Sequence, residues 1–431
     1  MRVLVVSAVY PPEPVVSAQT SAQLAQGLAA AGHEVAVLAP FPSRPGGRLY
    51  PGYSRRLFSR TREDGYDVIR CFAFLSSTSS VLSRAFENIS FGVTSALYAL
   101  VCSRPNVIYS NSWPMIATSL LALVARVRRI PFVLCVQDMY PESLISQKRI
   151  RDSGWAARML YRLDGIIARG CAGVVTISDA FAESYRNRRK MEAGRLRVIP
   201  NWVDASVYAP DPTGAAELRT RLNVPQDATL FVYAGNVGVA AGLETVIAAF
   251  RHLADVPHLY LLIAGEGTNL PVCRELARQV APDRIVFLTP WRREQTSAVL
   301  EAADVLLLPT RGRQSVASVP SKALWYMLSG RPVITLAVDS SDLARLIEES
   351  GCGWIVAPDD PLALASEMRR IASLEGSERR EHGEHGRTFV REHRTRDICL
   401  PRVIRVLEAA AMSEPAASKP VIESQRTIER G

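Results

Sequence analysis

The chain has 431 residues, 48% of them apolar, and a formal net charge of +9, which is material for two sizeable domains. Seven scattered cysteines, none in CxxC spacing, exclude a disulfide framework and a zinc site and point to a reducing cytoplasm. Basic residues crowd the stretch from Arg55 to Arg169, which suits an anionic partner, nucleic acid or an anionic membrane surface, or else a solvated basic face. No finger spacing, RNP pattern or interleaved aromatics marks a base-reading module, so nucleic acid is not expected.

The opening "MRVLVVSAVYPPEP" reads as a strand and a loop, because no apolar region precedes a small-residue cleavage site. Buried strands are then expected at "RVLVVSA", "EVAVLAP", "YDVIRCF", "NVIYSN", "FVLCVQD" and "GVVTIS". They alternate with helical patterns such as "SAQLAQGLAAAGH", the mark of a parallel sheet with helices on both faces. Two segments, Ile89 to Ser103 and Pro114 to Ala125, are unusually apolar and flanked by Arg84, Arg104, Arg126, Arg128 and Arg129. Both are shorter than the roughly 20 residues that span a bilayer. They read either as core helices or as helices partly facing a membrane interface.

"RLRVIPNWVDASVYAPDPTG" reads as a hinge, and the strand-helix pattern then runs again through "TLFVYAG", "LYLLIAG", "RIVFLTP", "DVLLLPT", "PVITLA" and "GWIVAP". The expected layout is a first domain over 1–199 and a second over 200–394. A helix over 395–411, broken by Pro401, crosses back onto the first domain, and a disordered tail covers 412–431. The fold class is α/β, two doubly wound parallel sheets facing a crevice at the carboxyl ends of their strands, where such folds bind ligands.

The loops after strands therefore carry the chemistry. In "YPPEPVVSAQTSAQ", Ser17 or Thr20 is placed to cap a helix whose N-terminus either receives an anion or is simply punctuation. No GxGxxG stands there, which disfavours a dinucleotide oxidoreductase. In "VQDMYPES", Asp138 and Glu142 beside Gln137 are candidates for polarising a hydroxyl or stabilising positive charge at a sugar carbon, with helix capping as the alternative for Asp138. The histidines sit in helical or connecting stretches, so a carboxylate is the expected base. "YAGNVGVAAGLE" and "LLIAGEGTN" offer Gly235, Gly238, Gly242 and Gly265 for close approach to a phosphate. "VFLTPWRRE" adds Arg292 and Arg293. In "SVPSKALWYMLSGRPVI", Pro320 suits a first helical turn, and Ser321 and Lys322 then aim donors at a diphosphate, with Arg311 and Arg313 adding positive potential. The lysine would add a charge-assisted bond of about 1.5–3 kcal/mol.

"YPPEP", "AAGHEVAVLAP", "QDMYPES", "TISDAF", "VIPNWVD", "YAGNVGVAAGLETVIAAF", "LLIAGEGTN", "ADVLLLPT" and "VPSKALWYMLSGRPVI" follow one another in that order. This succession resembles the GT-B glycosyltransferases of family 4, most of all the bacterial branch that builds O-antigens, capsules and colanic-acid-type exopolysaccharides, with the L-fucosamine transferases nearest. The resemblance covers the chain to about Ala411. It implies two Rossmann-like domains and a nucleotide-sugar donor held mainly by the second, at Gly235, Asn236, Gly238, Gly265, Glu266, Arg292, Arg293, Ser321 and Lys322. It implies an acceptor held by the first, at Pro14, Ser17 and Gln137, with Asp138 and Glu142 catalytic. It also implies retention of anomeric configuration, no metal, no cofactor, and a lipid-linked or growing saccharide as acceptor at the cytoplasmic membrane face, with peripheral membrane contact.

Several positions depart from the family pattern. The Glu-x7-Glu element falls at Ala317 and Trp325, and its second glutamate usually holds the donor ribose. The Arg and Lys near the second domain's first strand fall at Asn236 and Ala241. A Gly-Gly first loop is Val15-Val16 here, and a frequent catalytic His is Gln137. These departures admit a catalytically silent saccharide-binding protein, or a nucleotide-sugar epimerase on the same fold, as alternatives to a UDP-sugar transferase.

Overall fold

Runs of Val, Leu and Ile too uniformly apolar to alternate suit strands covered on both faces, and each of the twelve expected runs contains a strand. The computed structural model describes residues 1–413 except 45, 76–80, 147–148, 313 and 318, and leaves aside the side chains of 16, 81, 82, 146, 293, 314 and 317. Of the tail expected to be disordered, everything beyond Ser413 lies outside the described residues, as does Arg313.

The first domain contains β1 (Arg2–Val6), α1 (Val16–Ala30), β2 (Glu34–Pro40), β3 (Phe58–Glu63), β4 (Tyr66–Cys71), α2 (Val81–Val101), β5 (Val107–Asn111) and α3 (Met115–Val127). It continues with β6 (Phe132–Val136), α4 (Glu142–Ser146), α5 (Trp155–Gly170), β7 (Gly173–Thr176), α6 (Asp179–Asn187) and β8 (Leu196–Val198). The sheet order is β3-β4-β2-β1-β5-β6-β7-β8, with β3 antiparallel to β4 and the other pairs parallel. Two strands were not expected. β3, "FSRTRE", is a charged edge strand without an apolar run, and β8 is three residues within the stretch read as hinge.

The second domain runs α7 (Pro212–Arg221), β9 (Thr229–Ala234), α8 (Leu243–Ala249), β10 (Leu259–Ala264), α9 (Leu270–Val280), β11 (Ile285–Leu288), α10 (Thr296–Glu301) and β12 (Val305–Pro309). Then follow α11 (Gln314–Ala317), α12 (Lys322–Leu328), β13 (Val333–Leu336), α13 (Asp342–Ser350), β14 (Gly353–Val356), α14 (Pro361–Ser373), α15 (Gly376–His393) and α16 (Arg396–Met412). Its parallel sheet has the order β11-β10-β9-β12-β13-β14.

Alternation along the strands sorts the first domain's core into two layers. Val3 and Val5 of β1 pack with α1 and α16 on one face, while Leu4 and Val6 pack with α2, α3 and α5 on the other. The helix expected to break at Pro401 is continuous. Burial of Cys399, Leu400, Val403 and Leu407 against the first domain outweighs a cost of about 3 kcal/mol for an interior proline. Leu400 sits so close to Gly27 that a Cβ there would lie 2.6 Å from its Cδ2. Around the hinge, Val203 bridges Thr395, and the Arg402 guanidinium donates to the Val198 carbonyl at 2.8 Å.

Candidate functional site

The two sheets turn the ends of their strands toward a shared crevice. Ser178, after β7, donates to the Asp342 carboxylate, after β13, at 2.6 Å, and α4 touches α11. Between the domains lies a solvent-open cleft, lined by Ser178, Asp179 and Asn201 on one side and Ser321, Asp342 and Arg345 on the other. Of the expected site residues whose side chains are described, Ser321 alone lines it. Arg292 follows β11; Gly235, Asn236, Gly238, Gly265 and Glu266 follow β9 and β10, and Lys322, next in sequence to Ser321, reaches them.

There Gly235 and Gly265 take φ of 149° and 146°, a region that side chains disfavour. A Cβ on Gly265 would strike the Gly235 carbonyl oxygen, and a Cβ on Gly235 would lie 2.8 Å from Lys322 Nζ. Two glycine turns and one amine thus meet at a point. Lys322 donates to the Tyr233 hydroxyl at 2.8 Å and stands 4.1 Å from its ring centre, and Tyr233 in turn donates to the Asn236 carbonyl at 2.6 Å. Burial pushes the lysine down to about 8. No carboxylate is paired with it among the described residues, so its charge is offset only by dipoles and a π-face.

Around this point the loops are laced together by the backbone. The Val237 N–H donates to the Glu266 carbonyl at 2.7 Å, and Asn269 N–H donates to Val237 at 3.0 Å. The side chains of Asn236 and Glu266 are exposed, and Gly238 is partly covered by Asn236. Arg292 is exposed, with its N–H donating to Gln295 Oε1 at 3.0 Å; the side chain of Arg293 lies outside the described residues. Arg311 bonds through its N–H to Ala240 at 3.1 Å, and its guanidinium is 3.8 Å from Glu244. Pro320 is not in the first helical turn: α12 begins at Lys322, with Ser321 at its N-cap in helical geometry and no side-chain cap bond. Trp325 packs half-buried against the apolar core, so the position usually given to a ribose-binding glutamate is spent on packing. The side chain of Ala317 lies outside the described residues.

On the first-domain side, Glu13 is buried and its Oε1 accepts the N–H groups of Ser43 and Arg44, each at 2.9 Å. Arg70 donates to the carbonyls of Pro11 and Pro40 and lies over Tyr10 and Tyr53. The loop so held presents Pro14 to solvent. Neither Ser17 nor Thr20 caps α1: the N-cap is Val15, whose side chain has no acceptor, because the helix starts before the first polar residue. Ser17 lies in the first turn, half-buried, and its carbonyl accepts the Ser21 hydroxyl at 2.9 Å.

At the end of β6, Gln137 is half-buried and Asp138 exposed. Asp138 is not a helix cap, since α4 starts four residues later. Glu142 departs from expectation. Both its oxygens are taken by Arg189, at 2.6 and 2.8 Å, and Oε1 also accepts from Ser184. Burial alone would raise its carboxyl, but the hydrogen bond and charge of Arg189 hold it below the usual carboxylate range. Such a group is tied into the fold, and its geometry is that of a positioning residue.

Sequence reading missed three polar groups, two at this end of the first sheet and one in β9 of the second. Asn111, at the tip of β5, is buried and donates to Ser7 and Ser21 at 3.3 and 3.4 Å, while its Oδ1 has no partner among the described residues. Ser112 donates to the Asp138 carbonyl at 3.4 Å. Tyr233, which carries Lys322, was read only as strand. The signal for the first two was the polar "SNS" that ends an apolar run. Among the described residues no cluster of His, Cys, Asp and Glu is placed to hold a metal ion.

Residues 17–202 match the family described as glycosyl transferase 4-like domain, and residues 228–373 the one described as glycosyl transferases group 1. Among curated proteins, the chain is 26% identical over 312 residues to the probable glycosyltransferase WbjE of Pseudomonas aeruginosa, covering 71% of this chain and 76% of that one. It is 24% identical over 413 residues to the putative colanic acid biosynthesis glycosyl transferase WcaI of Escherichia coli K12, covering 94% and 98%. Among solved structures, Anabaena HepE in complex with UDP-glucose superposes with a TM-score of 0.68 at 14% identity, over 95% of this chain and 100% of that one. WaaG, a glycosyltransferase involved in lipopolysaccharide biosynthesis, superposes with a TM-score of 0.65 at 16% identity, over 94% and 99%. These superpositions place the two-domain architecture within the GT-B fold.

Proposed function

Because this chain belongs to the GT-B glycosyltransferases of family 4, we propose that it moves a sugar from a nucleoside-diphosphate donor to a lipid-linked or growing saccharide in bacterial surface-polysaccharide synthesis. The observation that carries the donor reading is Lys322, an amine with no acid partner among the described residues, held where Gly235 and Gly265 bring bare backbone together. A diphosphate fits such a point, because glycine admits close approach and the lysine supplies a charge-assisted bond. Uridine as the nucleoside is supported by the neighbour solved with UDP-glucose, and polysaccharide synthesis by the colanic-acid relative. An N-acetylated deoxy sugar such as L-fucosamine is the sugar we assign.

In this reading Asp138, exposed at the tip of β6, faces the reacting sugar and stabilises the positive charge that develops at its anomeric carbon. Ser321 and Asn236 flank the diphosphate, and Gln137, Ser17 and Pro14 border the acceptor. Transfer retains configuration and needs no metal. The enzyme works at the cytoplasmic face of the inner membrane as a peripheral protein; among the described residues no helix is long and apolar enough to cross a bilayer.

The test is thermal unfolding of the purified protein with a panel of nucleotide sugars, followed by transfer to a lipid-linked acceptor. A ligand at 100 times its dissociation constant adds about 2.7 kcal/mol. Absence of any nucleotide-sugar stabilisation would refute the donor reading. Trp325, half-buried against the core, favours, as the second reading, a catalytically silent saccharide-binding protein, which predicts no turnover with any donor. Conversion of free nucleotide sugar without acceptor would indicate an epimerase.

A further inference from the structure

α2, α3 and α5 form one layer over one face of the first sheet, α2 against α3 and α3 against α5. Their inner faces bury Phe91, Ala99, Leu121 and Ile167. Their outer faces hold 12 of the 19 large hydrophobic side chains that the described residues expose. On α2 the exposed side chains follow helical spacing, with Val93 at 51%, Leu97 at 44% and Val101 at 72%, and on α5 Trp155 stands 73% and Ile166 63% exposed. Exposed apolar side chains gathered on one layer and rimmed by polar residues mark an interaction or membrane surface.

The exposed charges within these three helices are of one sign. Arg126 and Arg129 at the end of α3, and Arg158, Arg162 and Arg169 along α5, are exposed. Of the acids in these helices, Glu87 is paired with Arg44 and Arg84, and Asp164 is buried against Arg189. An apolar face, a tryptophan and arginines without exposed acids match the interface of an anionic bilayer, where apolar side chains enter the acyl boundary and guanidinium groups meet phosphates. A protein partner would need a matching apolar face of its own, and an RNA would gain nothing from twelve exposed hydrophobics. The platform also adjoins the crevice, because α3 begins at Met115, directly after the polar tip of β5.

We propose that α2, α3 and α5 together form a docking platform for anionic lipid, with α5 lying flat in the headgroup layer and Trp155 at the acyl boundary. This rests on the membrane-side acceptor reading above and names the surface that serves it. A lipid-linked acceptor would then enter the crevice at the start of α3 without leaving the bilayer.

Flotation of the full chain with phosphatidylglycerol-rich and with phosphatidylcholine vesicles, at low and high salt, tests the platform. Binding is expected with the anionic vesicles and is weakened by salt. The double variant Arg158→Gln/Arg162→Gln is expected to lower partitioning about 10- to 30-fold while leaving nucleoside-diphosphate binding unchanged. Lipids brominated near the headgroup are expected to quench the wild type more than Trp155→Phe. Failure to float, flotation with equal quenching of both proteins, or a dimer by light scattering that Trp155→Ser dissolves would each overturn the proposal. Failure of the functional reading looks different: vesicle binding would persist while no nucleotide sugar binds.

Discussion

Arg189 meets Glu142 fork to fork, Nη1 to Oε1 at 2.6 Å and Nη2 to Oε2 at 2.8 Å, with the arginine side chain wholly buried. The same guanidinium binds Asp164 at 2.7 Å and the Tyr140 carbonyl at 2.7 Å, and lies over Tyr161 and Tyr185. It thereby fixes the loop that runs from Asp138 into α4, the helix that touches α11 of the other domain. Removing one partner of such a buried pair strands the other charge. Arg189→Met is expected to cost about 3–5 kcal/mol in chemical denaturation. Glu142→Gln should lose stability too, with turnover falling only as the folded fraction falls. A folded Glu142→Gln protein with a 100-fold loss of kcat would restore Glu142 to a catalytic role.

Asp138 begins that loop, exposed at the end of β6. Asp138→Asn is expected to lower kcat by about 100-fold or more with donor affinity nearly intact. Wild-type turnover would remove it from the chemistry.

Lys322 gives a pH signature of opposite sign for binding and for stability. Its amine titrates near 8 when folded against an ordinary value of 10.5, so between those values the unfolded chain holds more protons. Its contribution to stability therefore rises with pH across that window. A diphosphate needs the protonated amine, so donor affinity should fall as pH rises through about 8. Titration calorimetry with UDP at pH 7 and pH 9 would read the second effect, and denaturation at the same values the first. Lys322→Met should weaken UDP binding by about 10-fold or more and flatten both profiles.

Gly265→Ala puts a methyl group into the Gly235 carbonyl at a φ of 146°. The two loops must then separate. UDP affinity should be lost, and the second domain destabilised, more than by Gly194→Ala, where a Cβ meets nothing within 4 Å. Equal effects of the two substitutions would show that the close approach is not needed.

The strands were legible where burial on both faces writes long apolar runs, as in β9 "TLFVYA" and β12 "VLLLP". It was not legible in β3, whose outer residues face solvent and carry charge. For the site, the loops carrying Gly235, Gly265 and Lys322 were apparent from glycine and basic residues after strands. The partnership of Glu142 with Arg189 was not, because 47 positions separate them and only the packing of α6 beside α4 joins them. α5 hid its outer face for a different reason: arginines interrupt the apolar residues in "WAARMLYRLDGIIARG", so its hydrophobic stripe shows only once the helix is wound.

α16 completes the core around Val3, Val5, Leu24 and Leu28. A chain made from its amino end therefore finishes its first domain last. Until Leu400 and Leu407 emerge from the ribosome, that groove is bare beside a second domain already able to close on itself. A nascent chain halted after Arg394 would carry the exposed groove as an adhesive site for chaperones, and the finished enzyme would owe the closing of that groove to α16.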